Sequence, residues 1–317
     1  MSDGYIITVL GAGASAGCGF PLADDFFPRA KAFGELVAAK CPVLKRVIDY
    51  VVAKAQELDC LTPDDLALRM YQTRFGENYS EALNVLYYAR TITDAFFLHT
   101  ERQTSASTMR AFKDYWHEAL GGYSQKWRTG FPKTKHRLVT FNYDRLAELT
   151  FVRHFPEIAN NGMDLYGPGM LNTGFSGWRR ALEFEDGFCY LKLHGTVGVM
   201  PIGRNEVDAA FGHRFAHYAG LTNKTFEISD SLYFETSEAE LPKRKLAPLI
   251  VFPIDKQHVE GGGEEYNLKD YVQTVGGRLA KFSVLPKGST SSAIHFALLI
   301  RNGSFPFCIL RLKPESL

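Results

Sequence analysis

Three short segments carry the residues whose types and spacing could do chemistry. A glycine-rich stretch covers residues 11–21, Asn142 and Asp144 stand two positions apart, and His194 is followed by a glycine. The backbone N–H groups of a glycine-rich loop can approach a pyrophosphate closely. An amide steadied by a neighbouring carboxylate can hold a water or a sugar hydroxyl, and an imidazole can act as a general base near neutral pH. Each segment therefore has a catalytic or binding interpretation.

Each segment also has a purely structural interpretation. Glycines form turns without any ligand, Asn and Asp at the end of a strand bond their own backbone, and a single histidine can be a core or turn residue. Gly11, Gly13 and Ala16 satisfy the pattern G-x-G-x-x-[GA] of dinucleotide-binding loops. An ordinary dehydrogenase needs a strand with an acidic end about 20 residues further on. Residues 24–45 instead show a helical pattern with Glu35 in its middle, which argues against a dehydrogenase.

The elements before these segments predict how they are positioned. Apolar runs typical of buried strands precede each segment, and a fourth run follows them; the runs are Tyr5–Leu10, Arg137–Phe141, Phe188–Leu193 and Pro248–Phe252. We predict an α/β fold, a Rossmann-like doubly wound parallel sheet with a helical insert after the first Gly-rich loop, at about residues 24–133. In such sheets ligands bind beyond the carboxyl ends of the strands, so the three segments are expected to meet there.

Smaller elements complete the sequence-based prediction. A hairpin is expected near residues 225–235 and a helix over residues 266–279. Lys192 lies two positions before His194, so the two side chains would share a face if the strand is regular.

Composition restricts the class of protein. The chain has 317 residues and a formal net charge of +1, which argues against a protein that mainly grips nucleic-acid backbone. The sequence contains no run of about 18 apolar residues, so no membrane span is predicted. The sequence starts without a basic leader, and its five cysteines show no C-x-x-C pair, so a reduced cytoplasmic location without a disulfide framework or zinc ribbon is expected. We predict one domain over residues 1–317.

The segments together resemble the sirtuin family. Gly11-Ala-Gly-Ala-Ser15 followed by Gly19-Phe-Pro21 resembles the signature G-A-G-x-S-x-x-x-G-x-P. Thr140-Phe-Asn-Tyr-Asp144 resembles the family's T-x-N-x-D motif, and Leu193-His-Gly195 resembles its x-H-G motif. Pro248–Phe252 resembles the strand that follows the small module of the family. The order of the motifs agrees over roughly residues 5–255.

Departures from the family pattern indicate a branch. Residues 195–250 contain no cysteine, whereas sirtuin deacylases carry a four-cysteine zinc ribbon there. The family's D-F-R triplet is replaced by Leu22-Ala-Asp24. With the long helical insert, the chain is similar to the sirtuin-like NAD hydrolases of bacterial antiphage defence. That resemblance implies an enzyme that uses NAD as a substrate without a metal, releases nicotinamide and ADP-ribose, and depletes the cofactor during infection.

The resemblance also implies roles for individual residues. Asn142, His194 and Asp144 would be catalytic: Asn142 holds the water or the ribose, His194 is the general base or ribose orienter, and Asp144 positions Asn142. The cofactor would be bound by residues of the first loop and by Asn142; the loop residues are Gly11, Ala12, Gly13, Ser15, Pro21 and Asp24.

Alternatives and partners stay open at the level of sequence. The same NAD site would serve an NAD-dependent deacylase or ADP-ribosyl transferase, or a non-catalytic NAD or ADP-ribose sensor. Besides NAD, the expected partners are a second copy of the chain or an activating protein encoded nearby, with no membrane and no nucleic acid. Residues 281–317 form an atypical tail, in which Lys281–Leu285 and Gly288–Ser291 are weak matches to a strand and loop that close on the ribose in the family.

Overall fold

The strands that precede the three candidate segments belong to one four-stranded sheet. The computed structural model describes residues 6–73, 79–119, 136–154, 189–202, 214–221, 226–235, 242–252 and 308–311. Strands β1 (Ile6–Leu10), β2 (His136–Thr140) and β3 (Cys189–Lys192) are parallel, and β1 lies beside β2, which lies beside β3. The fourth strand, Cys308–Arg311, pairs antiparallel with the other edge of β1.

A second, smaller sheet follows β3. Strands β4 (Val199–Ile202) and β5 (Arg214–His217) pair antiparallel, and the strand at Cys308–Arg311 is therefore β6 in chain order.

Helices fill most of the described chain between β1 and β2. A short helix and a 3-10 turn (Ala23–Asp25) come first, and longer helices follow. In chain order the helices between the two strands are α1 (Gly13–Ala16), α2 (Phe26–Val37), α3 (Pro42–Glu57), α4 (Pro63–Thr73), α5 (Tyr79–Gln103) and α6 (Arg110–Ala119). Two further helices follow β2, namely α7 (Leu146–His154) and α8 (Asp230–Tyr233). The described residues of the predicted insert form helices α2 to α6, while residues 74–78 and 120–133 of it lie outside the described residues. The insert as a unit over about residues 24–133 stays a prediction. The insert packs around α5, whose buried positions lie on nearly every side.

Helix α3 shows why the periodicity predicted a helix. Its buried side chains recur every three or four positions and form one apolar face: Leu44, Val47, Ile48, Val51, Val52 and Ala55. Pro42 occupies its first turn, where the missing N–H is not needed. The carboxylate of Asp230 in α8 accepts hydrogen bonds from Val43 N (2.9 Å) and Leu44 N (2.8 Å). A residue far along the chain therefore caps this helix.

Helix α4 begins with a local capping arrangement at Thr62 and Asp65. Thr62 Oγ1 accepts a hydrogen bond from Asp65 N (3.0 Å), and Asp65 Oδ2 accepts one from Thr62 N (3.1 Å). This reciprocal capping satisfies two N–H groups that the helix itself leaves without partners.

The first three predicted strands are found within one residue of each predicted end, and the fourth prediction is wrong. Residues 248–252 belong to no strand; Ile250 makes one isolated antiparallel bridge with Gly195. Leu249 N bonds Val199 O and Val251 N bonds His194 O, so the segment crosses the turn after β3 instead of extending the parallel sheet. Its apolar side chains are buried, which explains why the run reads as a strand.

The hairpin predicted near residues 225–235 is also wrong over its described part, because Asp230–Tyr233 form α8. The helix expected at residues 266–279 and the tail segments within 281–291 lie outside the described residues. The doubly wound, Rossmann-like class stays a prediction. No helix in the described ranges is long and apolar enough to cross a membrane.

Candidate functional site

The carboxyl ends of β1, β2 and β3 meet at one edge of the sheet. Leu10 pairs with Thr140, and Thr140 pairs with Lys192. The pairing continues one residue further, since Phe141 N donates to Leu10 O (3.0 Å) and Leu193 N donates to Thr140 O (2.8 Å). The glycine-rich segment, the Asn142–Asp144 turn and the His194–Gly195 turn therefore leave the sheet side by side.

A cavity of about 200 Å³ lies beyond this edge. Its wall contains side chains from the three segments and from the helical insert; the lining residues are Ala12, Ser15, Phe20, Pro21, Leu22, Ala23, Phe26, Pro63, Asp64, Thr93, Phe97, Phe141, Asn142, Tyr143, Asp144 and His194. Most of this wall is apolar or aromatic. The lining includes two carboxylates, Asp64 and Asp144, and its described residues include no lysine or arginine.

Six of the predicted site residues line the cavity: Ala12, Ser15, Pro21, Asn142, Asp144 and His194. Gly11 and Gly13 flank Ala12 and are exposed. Asp24 is exposed in the 3-10 turn and is not part of the lining, although its neighbour Ala23 is. The structure therefore brings all three segments together and leaves Asp24 outside the cavity wall.

Ser15 links the first two segments. Its hydroxyl donates to Asp144 Oδ2 (2.6 Å) and accepts from Asn142 Nδ2 (3.0 Å). A serine hydroxyl has a single proton, so giving it to Asp144 leaves the oxygen as an acceptor for the Asn142 amide. This fixes which end of the amide is the donor, and the carbonyl oxygen of Asn142 takes the opposite position.

Asp144 is a buried carboxylate at the start of α7. Burial raises its pKa to about 6, while the Lys192 ammonium and the hydrogen bonds from Ser15 and Leu146 N act in the opposite direction. The Leu146 N–H donates to Asp144 Oδ1 (3.1 Å), so the same side chain caps the helix. Asp144 therefore combines a capping role with the orientation of Ser15 at the cavity.

Lys192 has a different position from the one predicted. Strand β3 ends at Lys192, so Lys192 and His194 do not share a strand face. The Lys192 side chain is buried; its ammonium pairs with Glu148 Oε1 (3.0 Å) and donates to the carbonyl oxygen of Asp144. Lys192 thus stabilises the turn at Asp144 through these two contacts, and it does not line the cavity.

His194 lies half-buried on the cavity wall between two aromatic rings. Its ring centroid is 5.4 Å from that of Phe141, in an edge-to-face arrangement, and 5.9 Å from that of Tyr143. Gly195 follows with a φ of +78°, and a Cβ there would clash with the carbonyl oxygen of Leu249. The glycine after His194 is therefore required by the backbone, independently of any ligand.

Gly11, Gly13 and Gly17 of the first segment differ from Gly195, because no close backbone contact requires a glycine at these positions. No heavy atom lies within 4 Å of a Cβ built at Gly11, Gly13 or Gly17. The segment forms a short helix, α1, instead of the open loop that the composition predicts. Neither packing nor a positive φ therefore explains Gly11 and Gly13, and the space beside them is open for a ligand.

Sequence reasoning missed the contribution of the helical insert. Thr93 and Phe97 of α5 line the cavity, as does Asp64 at the start of α4. The stretch Thr62–Asp65 carries a signal, but that signal is fully explained by helix capping. No local pattern marks Thr93 or Phe97, because nearly every position of α5 from Val85 to Glu101 is buried.

The described free cysteines are not part of the cavity lining. Cys18, Cys41 and Cys60 are buried, unpaired by disulfides, and burial raises the pKa of each thiol. Such thiols carry little thiolate at neutral pH and are poor nucleophiles. Among the described residues no group of three or more His, Cys, Asp or Glu is placed to hold a metal ion. The metal-free chemistry stays a prediction.

Comparison with known proteins adds no family. No protein-family model matches this chain, and no curated protein matches it. The resemblance to sirtuins therefore depends on the motifs themselves.

Proposed function

We propose that this protein is a sirtuin-like NAD+ hydrolase that releases nicotinamide and ADP-ribose. The observation that carries the proposal is the cavity shared by Ser15, Asn142, Asp144 and His194. These residues come from three segments: Ser15 and Asn142 are 127 positions apart, and Asp144 and His194 are 50 positions apart (194 − 144). The parallel strands by themselves bring the three segments to one edge of the sheet, but they do not require that polar side chains of all three line one cavity. Their convergence supports a common ligand.

The shape and charge of the cavity suit one end of NAD+. The nicotinamide ring of NAD+ is flat and positively charged. Aromatic rings such as those of Phe97 and Tyr143 attract a cation. The carboxylates of Asp64 and Asp144 add negative charge to the described part of the lining. The pyrophosphate would lie towards Gly11 and Gly13, where the open space permits close approach of the backbone.

The proposed chemistry is a dissociative hydrolysis. The bond between the nicotinamide nitrogen and the ribose breaks, and its electron pair neutralises the pyridinium as nicotinamide leaves. The ribose becomes an oxocarbenium ion, and a water attacks its anomeric carbon. His194 accepts the proton of that water, while the carbonyl oxygen of Asn142 orients the water or a ribose hydroxyl. Asp144 acts on Asn142 through the Ser15 hydroxyl, because the hydrogen-bond chain passes through Ser15.

The cellular role proposed with this activity is depletion of NAD in the cytoplasm during phage infection. Activation by a second copy of the chain or by a neighbouring protein belongs to this proposal. Expression toxicity with loss of cellular NAD would be its readout in cells.

Nicotinamide release by the purified protein tests the proposed reaction. Removal of a water-orienting amide or a general base reduces a rate by about 10²–10⁴-fold. Asn142→Ala and His194→Ala are therefore each expected to lose nearly all nicotinamide release. Asn84→Ala and His117→Ala are matched controls, since neither residue lines the cavity. Wild-type rates in both site variants would show that the catalytic pair is wrong.

Binding without turnover would favour the sensor. ADP-ribose should raise the melting temperature of the wild type, because a ligand of the folded state stabilises it. Gly13→Val should abolish this increase, and Gly17→Val should keep it, since both positions have open space but only Gly13 adjoins the cavity lining. A normal increase in the Gly13 variant would place the nucleotide elsewhere. An increase with no nicotinamide release, even with neighbouring gene products present, would replace the enzyme by a sensor.

A further inference from the structure

Two acidic residues of α5 hold the two turns that carry the proposed catalytic residues. Asp94 and Glu101 stand seven residues apart, which is about two helical turns, so they project from the same side of α5. Both are buried, with 0% and 9% of their surface exposed. Charged residues are rarely buried to this degree unless they are paired, so their partners indicate why they are there.

Asp94 holds the turn that follows His194. Its Oδ1 accepts a hydrogen bond from Gly198 N (2.7 Å), and its Oδ2 accepts hydrogen bonds from the hydroxyls of Tyr218 and Tyr233 (2.7 Å for Tyr233). Gly198 has a φ of +72°. The carboxylate therefore fixes a backbone N–H in a tight turn four residues after His194.

Glu101 holds the turn that follows Asn142. Its carboxylate accepts from Arg145 N (2.8 Å) and from the Arg145 guanidinium at Nη2 (2.8 Å) and Nε (3.1 Å). Arg145 comes directly after Asp144. A two-pronged ion pair of this kind fixes direction as well as distance.

The two attachments meet each other. Arg145 also donates to the carbonyl oxygen of Ala219, and a Cβ built at Gly198 would lie 2.8 Å from Arg145 Nη1. One turn earlier on α5, Arg90 Nε donates to Ile250 O (3.1 Å), and Ile250 forms the bridge with Gly195. The two attachments are therefore adjacent, because Arg145, which is bound by Glu101, lies beside Gly198, which is bound by Asp94.

We propose that Asp94 and Glu101 are positioning residues, which set the placement of His194 and of Asn142 from the helical insert. The activity readout of this inference rests on the proposed function, and its structural readout does not. The glycine-rich segment that would hold the pyrophosphate is not bonded to either carboxylate in the described contacts. Loss of either attachment should therefore reduce turnover more than nucleotide affinity.

Asp94→Asn is the principal variant. It keeps the size of the side chain but leaves a single acceptor oxygen, for which Gly198 N and the two tyrosine hydroxyls must compete, so the attachment of Gly198 is weakened. We expect kcat for nicotinamide release to fall about tenfold, with KM within about twofold of wild type. Tyr233→Phe is the matched control, because it removes one bond to Asp94 and leaves the bond to Gly198. An equal loss of kcat in Tyr233→Phe would reduce Asp94 to a merely structural residue.

The structural readout uses histidine-labelled protein and NMR, and it does not depend on any activity. The ring resonance of His194, assigned with His194→Gln, should shift in Asp94→Asn and stay at its wild-type position in Tyr233→Phe. An unchanged His194 resonance in Asp94→Asn would overturn the inference. A shifted resonance in a protein whose wild type releases no nicotinamide would keep the inference and refute the proposed hydrolase.

The wild-type protein provides a test if Asp94→Asn does not fold. The amide hydrogens of Gly198 and Arg145 are both donated to buried carboxylates, so they should exchange with solvent only slowly. Exchange of the Gly198 amide at the rate of an unprotected peptide would contradict the proposed attachment. In Glu101→Gln the side-chain amide resonances of Asn142 should shift, and their constancy would contradict the second attachment.

Discussion

The cavity and the α5 junction each contain a buried aspartate, and the two sites differ in what surrounds the carboxylate. Burial raises the pKa of both Asp94 and Asp144 to about 6. Asp94 accepts hydrogen bonds from two tyrosines and Gly198 N and does not line the cavity. Asp144 accepts from Ser15 and Leu146 N, lies near the Lys192 ammonium and lines the cavity. Equal pKa shifts thus accompany different roles.

A raised pKa does not by itself show whether a buried carboxylate has a catalytic or a structural role. Active sites often contain groups with shifted pKa values, but structural networks shift them as well. What distinguishes Asp144 is its access to a cavity and its connection to a second polar side chain there. Asp94 instead accepts hydrogen bonds from three donors, which are the backbone N–H of Gly198 and the hydroxyls of Tyr218 and Tyr233. Asp94 therefore has a positioning and stabilising role, whereas Asp144 acts at the site of the proposed chemistry.

The largest expected effect concerns stability at Asp94. Asp94→Ala leaves Gly198 N and the hydroxyls of Tyr218 and Tyr233 buried without their acceptor. We expect the free energy of unfolding to fall by about 3 kcal/mol, measured by urea denaturation. Asp114→Ala is the control, because the Asp114 side chain on α6 is 66% exposed. A loss at Asp94 no greater than at Asp114 would remove the difference between the two carboxylates.

The next effect concerns activity at Asp144. Asp144→Asn keeps the shape of the side chain but removes the charge that directs the Ser15 proton, so the Asn142 amide loses its fixed orientation. We expect nicotinamide release to fall about 100-fold. Asp94→Asn, with its expected tenfold loss, is the comparison variant. If Asp94→Asn is the more damaging of the two, the division between chemistry and positioning is wrong.

The smallest effect is the dependence of stability on pH. The pKa of each aspartate is raised to about 6 in the folded protein, above about 3.9 in the unfolded chain. The folded state therefore binds more protons between about pH 4 and 6, and the stabilisation present below pH 4 is lost as the pH rises through 6. Each group contributes a slope of at most about 1.4 kcal/mol per pH unit.

Asp94→Asn and Asp144→Asn should each flatten that slope when unfolding is measured in urea from pH 4 to 7. The two decreases should be similar, because burial is the main cause of both pKa shifts. An unchanged slope in either variant would mean that its carboxylate is not the titrating group.

The strands before the three motifs could be predicted because their signal is local. Ile6–Leu10 is an unbroken apolar and β-branched run that stops at glycine, and β2 and β3 have shorter apolar centres, Leu138–Val139 and Tyr190–Leu191. The meeting of their ends follows from the parallel arrangement alone. Pro248–Phe252 has the same composition but bonds His194 O and Val199 O across a turn. Composition records burial and does not record which backbone partner is used.

The positioning side chains could not be predicted because their signal is distant. Lys192, Asp94 and Glu101 are charged, and a charged residue in a sequence is normally expected at the surface. Their burial depends on partners that lie 44 or more residues away in the chain, such as Glu148 for Lys192 and Arg145 for Glu101. The cap of α3 by Asp230 has the same origin.

The most direct test of the central claim, that the three segments form one nucleotide site, is hydrogen exchange measured with and without ADP-ribose. The account predicts that saturating ADP-ribose slows exchange in three peptides together, covering residues 11–21, 141–146 and 193–198. The peptide covering Pro42–Glu57, which has no residue in the cavity lining, should exchange as before. Slower exchange in only one of the three peptides, or in none, would contradict the shared site.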